Sequence, residues 1–366
     1  MTLHLYFARR FARTFLSVLL VFFAILVLID MIEQVRRFGG TEAGFGTLVG
    51  LTLLNVPETL YGILPLVMIL ATLALFLGLA RSSELVVTRA SGRSALKSLT
   101  APVIVAFLVG LLAVAVFNPI VAATSKQYET MAERLRGGEV SQLSLTAEGL
   151  WLRQGDETGQ TVIRAVRSNL DGTELRSVTF LGFDAEGRPS FRIEADRARL
   201  TEGAWAIEGA KEWRFDTGQS IPEAEAFETE RMSLASNLTR DQILDSFGTP
   251  SAIPIWELPG FISDLETAGF SARIHRTFFH MELALPVLMV AMVLVGAGFT
   301  MRHTRFGRTG MMVMLALALG FTLYFIRNFA AILGENGQIP ILLAAWGPPI
   351  ASVLLPLGLL LHLEDG

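Results

Sequence analysis

Six apolar stretches constrain this chain more than any other feature. They lie at about 12–32, 59–80, 99–120, 280–301, 309–331 and 339–362, and each approaches the roughly 20 residues that a helix needs to cross a bilayer's hydrocarbon. A segment in that medium must satisfy its own backbone hydrogen bonds, so runs of this length read as helices. The expected fold class is an α-helical integral membrane protein with six transmembrane helices, three on each side of a polar insertion. With 52% hydrophobic residues, 17% charged residues and a mean hydropathy of +0.50, the chain is too apolar for an ordinary soluble domain. The first stretch is long and has no small-residue cleavage site after its core, so it reads as a retained helix rather than a removable signal.

Charge sets the orientation. Arg9, Arg10 and Arg13 precede the first stretch, Arg81, Arg89, Arg93 and Lys97 separate the second from the third, and Arg302, Arg305 and Arg308 separate the fourth from the fifth. The positive-inside rule makes these faces cytoplasmic. Both termini are then expected in the cytoplasm and the insertion outside it. Acidic residues concentrate in the insertion, and with a net charge of −4 a nucleic-acid partner is not expected. The chain has no cysteine, which excludes thiol catalysis, thiolate metal sites and disulfides.

The insertion, about 121–275, has a different pattern. In "PSFRIEADRARL" Phe191, Ile193 and Ala195 fall on one side of an extended chain and Arg192, Glu194 and Asp196 on the other, the period of a strand. Similar runs recur between turn signals such as Asp171-Gly172, Glu186-Gly187 and Glu202-Gly203, which predicts a small antiparallel sandwich or jelly roll. Trp151 and Trp205 are expected to anchor its core. A proline-punctuated return, "TPSAIPIWELPGF", precedes a short amphipathic helix at about 256–269. The domains expected are therefore 1–120, 121–275 and 276–366.

No Gly-Lys pair occurs anywhere, so the chain cannot form a phosphate-binding P-loop of its own. His275 and His280 lie five apart, off one helical face, and no metal, cofactor or catalytic constellation is expected. The chain reads as something other than an enzyme. One charged stretch stands out between the second and third apolar runs, "RSSELVVTRASGRSALK" at 81–97. Ser82 fits an N-cap, Glu84 the first turn and Gly92 a C-terminal stop, giving a short helix at about 82–92. Leu85 and Val86 form its apolar stripe and Arg89 and Arg93 lie on another face. Two readings stay open on these residues alone: a connector bearing the cytoplasmic charges, or a handle that another protein grips.

The same stretch, through Arg81, Glu84, Leu85, Ala90, Ser91 and Gly92, resembles the cytoplasmic coupling helix of the lipopolysaccharide export permeases, the LptF/LptG family. "LTLLNVPETLYGILPLVMILATLALFLG", "EGLW" at 148–151 and the three-helix, β-domain, three-helix plan are also similar, so the resemblance covers essentially the whole chain. "TLLNVPETL" and "EGLW" lean to the LptG type. The resemblance implies an ATP-driven exporter with hydrolysis in a separate cytoplasmic ATPase dimer, a paired homologous permease, lipopolysaccharide as cargo and a periplasmic bridge of jelly-roll proteins. It places the chain in the bacterial inner membrane. Arg81, Glu84, Leu85, Arg89 and Arg93 would then couple to the ATPase.

Candidates for lipopolysaccharide contact are more dispersed. Arg36 and Arg37 lie at the outer end of the first stretch, against the positive-inside trend, where guanidinium groups can grip phosphate. With Glu33 and Gln34 they match the family's basic cluster, although Asp30 stands where some relatives are basic; the alternative is that they anchor the helix to ordinary anionic headgroups or pair with Asp30 and Glu33 one turn away. Arg327 is the one basic residue well inside an apolar run; it either snorkels to the outer interface or meets a lipid phosphate. Phe191, Ile193 and Ile207 either shelter acyl chains or form the β-domain core. Two other functions compete: a secondary transporter using Glu58, Glu282 or Arg327, and a membrane-anchored sensor with a ligand-binding β-domain.

Overall fold

The computed structural model describes residues 2–39, 43–84, 87–88, 94–135, 144–146, 149–156, 159–169, 172–184, 186–215, 226–236, 238–239, 243, 249–267, 271–300 and 309–365. These residues form two compact units.

The helical unit contains α1 (Thr2–Phe38), α2 (Phe45–Gly62), α3 (Leu64–Arg81), α4 (Ala95–Leu112), a π turn (Ala113–Phe117), α5 (Asn118–Leu135), α7 (Arg273–Leu283), α8 (Leu285–Thr300), α9 (Thr309–Glu335) and α10 (Ile341–Asp365). The helix α8 is central: it packs against α3, α4, α9 and α10, and nearly all its residues are buried. Close approach explains its small residues. A Cβ on Gly296 would press on Thr72, and one on Gly110 of α4 would run into the backbone of Pro286, as in the small-residue crossings of membrane bundles. The long helix α1 lies at the periphery. Its Phe7, Phe11 and Phe15 are buried at four-residue spacing while Leu28 and Ile32 are 67% and 71% exposed. An exposed apolar stripe of this kind suits contact with lipid or with another apolar surface.

Among the described residues five helices are long and apolar enough to span a membrane, and the pair α7–α8, bent by 49°, makes a sixth if it is one span. Prolines cause the interruptions. Pro286 has no N–H for the carbonyl of Glu282, Pro65 none for that of Tyr61, and Pro119 none for that of Ala115. The Ala115 carbonyl accepts instead from Trp256 Nε1 at 3.2 Å, so the freed group beside the π turn is satisfied.

Two sequence boundaries shift accordingly. The second apolar run, expected from 59, is two helices meeting at Ile63. The third does not end as a helix near 120 but continues through a polar segment to Leu135, because helical hydrogen bonding persists where hydropathy falls.

The β unit holds β1 (Ser144–Thr146), β2 (Gly149–Asp156), β3 (Gly159–Ser168), β4 (Glu174–Asp184), β5 (Pro189–Thr201), β6 (Ala204–Arg214), β7 (Phe227–Ala235) and α6 (Leu258–Thr267). The strands form one antiparallel sheet in sequence order. It is a meander, without the crossovers of a Greek key among the described strands, and from β1 to β6 the connections are short enough to join only neighbours. The sheet curls on itself. Gln154 of β2 donates to the carbonyl of Ala235 at 3.1 Å at the far edge, and accepts from Ser236 at 2.6 Å and Trp205 at 3.3 Å. Leu152, Ile163, Phe180, Ile193 and Trp205 fill the interior. Trp205 meets Phe180 edge-on at 6.2 Å. Trp151 does not join this core: it sits between buried Leu150 and Leu152, so strand alternation turns it outward, where Arg164 lies over its ring.

One irregularity crosses the sheet. The ladder pairs Val166/Ser177, Ser177/Asp196, Asp196/Gly209 and Gly209/Glu230 are all missing at aligned positions. There Ser177 and Gly209 have positive φ of 52° and 65°, and inward residues step by three, as in Leu175 to Val178, Ala195 to Ala198 and Ile207 to Ala210. A bend of this kind folds one sheet over its own face.

Candidate functional site

The charged connector after α3 is described as far as Glu84 and again at Val87 and Thr88. The Ser82 backbone N–H bonds the carbonyl of Gly78 at 3.0 Å and closes α3, while its hydroxyl donates to Glu84 Oε1 at 2.7 Å. The connector turns at Ser83 with φ 57°, and Val87 N–H then bonds the Ser83 carbonyl at 3.2 Å. The Glu84 carboxylate reaches across to α1. Arg10 Nη1 lies 2.6 Å from Oε1 and 2.7 Å from Oε2, and the Tyr6 hydroxyl donates to Oε2 at 2.9 Å. Arg10 also bonds Tyr6 Oη at 2.5 Å. These partners, Arg10 first and then Ser82 and Tyr6, hold the Glu84 carboxyl below the usual carboxylate range. Arg89 and Arg93, grouped with Glu84 as expected coupling residues, lie outside the described residues, with Leu85 and Gly92, and the described cation at Glu84 is Arg10. Arg81 is exposed at the end of α3.

At the other end of α1, Arg36 Nη2 and Arg37 Nε bond Glu33 Oε1 at 2.8 and 2.5 Å. The two side chains remain 76% and 50% exposed, so most of their guanidinium donors point to the surroundings. Asp30 does not join them: it accepts from Asn55 at 2.6 Å and Gln34 at 3.2 Å. Phe38 and Leu48, Leu51 and Ala132 pack together there, fixing this end of α1 against α2 and α5.

The proline interruptions meet at a cavity of about 290 Å³ lined by Glu58, Tyr61, Asn118, Glu282, Tyr324 and Arg327 among others. Glu282 is 4% exposed. It accepts from the Tyr61 hydroxyl and from Asn118 Nδ2, the latter at 3.4 Å. Asn118 Oδ1 accepts from Ile255 N–H at 3.0 Å, and Glu58 accepts from Ser125 and Ser251 at 2.8 and 2.9 Å. Arg327 lines the same space, with Glu282 as a countercharge within the chain. Tyr61 and Asn118 were missed in the sequence, although Asn118 directly precedes Pro119 and Tyr61 lies one turn before Pro65, a visible signal.

In the β unit Ile193 and Ile207 are each 1% exposed, within the sheet's own core. Phe191 is half-buried, its ring lying against Gly182 on the neighbouring strand, which fills the space that a glycine leaves in a sheet.

Known proteins resemble the chain along its length. The family described as "Lipopolysaccharide export system permease LptF/LptG" matches residues 5–362. The chain is 23% identical over 363 residues to the lipopolysaccharide export system permease protein LptG of Haemophilus influenzae, covering 96% of this chain and 95% of that protein. To the LptG of Escherichia coli K12 it is 24% identical over 372 residues, with 96% and 93% covered.

Proposed function

The chain belongs to the lipopolysaccharide export permease family LptF/LptG, and on that premise we propose how it works as a permease subunit of LptG type. It is a multi-pass protein of the inner membrane. It pairs with a homologous permease and rests on a cytoplasmic ATPase dimer, with both termini on that side and the β unit in the periplasm. ATP-driven closure moves the helices, which lift lipopolysaccharide from the outer leaflet and pass it by way of β-domains to a periplasmic jelly-roll bridge. The observation that carries this reading is the connector after α3, whose Glu84 is bonded to α1. A charged connector tied to a membrane-crossing helix is a route by which motion at the cytoplasmic face reaches the bundle. The Arg36–Arg37 pair at the far end of α1 supplies exposed guanidinium groups suited to lipid phosphate.

Expression with its partners in proteoliposomes tests the reading: lipopolysaccharide is to be delivered to a soluble acceptor only with ATP and a P-loop ATPase that copurifies. Secondary transport is the competing reading, and burial of Glu282 among polar groups favours it. Delivery driven by an ion gradient in the absence of any bound ATPase would decide for that alternative.

A further inference from the structure

Arginines oppose one another across the outer face of the β unit. Register sets Arg167 of β3 opposite Arg176 of β4, and Arg176 opposite Arg197 of β5, just beyond the level at which the strands bend. They turn away from the interior, since Leu175 and Ala198 beside them are buried. Facing residues on neighbouring strands lie about 5 Å apart, and like charges in that position destabilise a sheet. The positive run stops at β6, where Glu208 faces Arg197. Countercharge gathers toward that end: Glu174 is shared by Arg197 and Arg199 at 3.2 and 3.7 Å, and the Asp196 carboxylate lies against Gly209 of β6. Arg167 and Arg176 are exposed, and neither has an ion-pair partner among the described residues. Trp151 of β2, also turned outward, has Arg164 of β3 over its ring at 5.5 Å.

We propose that this outer face binds a phosphate-bearing saccharide: Arg167 and Arg176 grip one phosphate between them, Arg197 flanks it, and Trp151 with Arg164 gives a sugar ring a flat surface. Guanidinium groups match phosphate oxygens bidentately, and an anion between two of them turns their mutual repulsion into attraction. The aromatic face near the arginines suits a sugar ring, and an acidic protein surface would leave it unused. On the exporter reading, on which this choice of ligand rests, the saccharide is that of the exported lipid. The β unit then holds cargo by its polar part on the outside, while Leu152, Ile163, Phe180, Ile193 and Trp205 fill the inside.

Titration tests it with the full chain in its complex, in the Arg36→Glu/Arg37→Glu background that removes the phosphate grip proposed for α1. The probe is a phosphorylated core oligosaccharide freed of its acyl chains, beside the same oligosaccharide dephosphorylated and inorganic phosphate. Arg167→Gln and Arg176→Gln are each expected to weaken binding of the phosphorylated probe by about tenfold or more, the fold-change of one charge-assisted hydrogen bond. Dephosphorylation is expected to weaken it at least as much. Neither variant is expected to melt below its parent, since each removes one of two opposed like charges, and the phosphorylated probe is expected to raise the Tm of the parent but not of Arg167→Gln/Arg176→Gln. Binding that the double variant retains, or that the dephosphorylated probe matches, would overturn the proposal. So would inorganic phosphate that protects as well at the same concentration, which assigns the row to a free anion. A double variant that loses a copurifying protein with its saccharide affinity intact also refutes it and assigns the row to an acidic partner. ATP-driven delivery by the unaltered complex is read separately: delivery without oligosaccharide binding refutes this site alone, and binding without delivery or a copurifying ATPase refutes the exporter reading alone.

Discussion

Replacing Glu282 by alanine should destabilise the helical unit more than any single change at its surface. The carboxylate is 4% exposed and accepts from Tyr61 and Asn118, with Arg327 on the same cavity. Alanine leaves two donors without their acceptor. Each buried donor left unsatisfied costs about 1–3 kcal/mol, so about 2–6 kcal/mol for the two. At roughly 2 °C per kcal/mol for a chain of this size, Tm should fall by about 4–12 °C. Thermal unfolding in detergent, followed by tryptophan fluorescence at a fixed scan rate, reads this directly. A second variant, Glu282→Gln, keeps an acceptor for Tyr61 and Asn118 and should recover more than half of the loss. A Glu282→Ala melting point within about 1 °C of the parent would refute the reasoning. So would a Glu282→Gln variant as unstable as Glu282→Ala, since the loss is assigned to the donors' missing acceptor.

Three further outcomes follow from other parts of the molecule. Arg36→Glu/Arg37→Glu should weaken lipopolysaccharide binding and lipid-stimulated hydrolysis at matched salt while assembly and basal ATPase activity persist; unchanged affinity would reduce both arginines to partners of Glu33. The Glu84 carboxyl is depressed by Arg10, so its contribution is present at neutral pH, above the unfolded value, and is lost as pH falls through the folded value; the 10–84 contact, read by cross-linking of lysine-free neighbours or by spin-label distance, should hold at pH 7 and loosen only below the ordinary carboxylate range. Gly209→Val should destabilise the β unit by about 1–3 kcal/mol, because φ is +65° and a Cβ would collide with Asp196; denaturant unfolding of the full chain with an unaltered β-unit transition would contradict the bend assigned to that position.

The membrane spans were legible because hydropathy reports burial in lipid directly, residue by residue. Their ends were not. The polar continuation of α5 to Leu135 and the junction at Ile63 are set by hydrogen bonding and by prolines, which a count of apolar residues ignores. The prolines at 65, 119 and 286 were visible, but only the fold brings Tyr61, Asn118 and Glu282 together from three separate helices. Glu84 was legible as an unusual charge. Its partner was not, since Arg10 lies 74 residues away and no local spacing links them. In the insertion, alternation gave the inward side of Phe191, Ile193 and Ala195, but strict alternation cannot anticipate Ala198 as the next inward residue. Trp151 and Trp205 each follow a Glu-Gly-X sequence, and only register separates the buried one from the one that faces Arg164.

The aligned break across the β unit has a consequence for how such a domain tolerates change in length. Each of β3 to β7 changes phase at the same level, so each strand is divided into two stretches that must stay in step with their neighbours. Residues added at a hairpin tip lengthen a loop and leave both stretches in place. A single residue inserted between the break and either end of a strand reverses every side chain beyond it, turning Leu175 or Ala198 toward water and a charged neighbour inward. Two residues inserted there restore the facing but slide the break out of line with the adjacent strands, so the positive-φ positions no longer coincide with the bend. The strands of this domain are therefore of fixed length, measured from the bend outward, and insertions are confined to its turns.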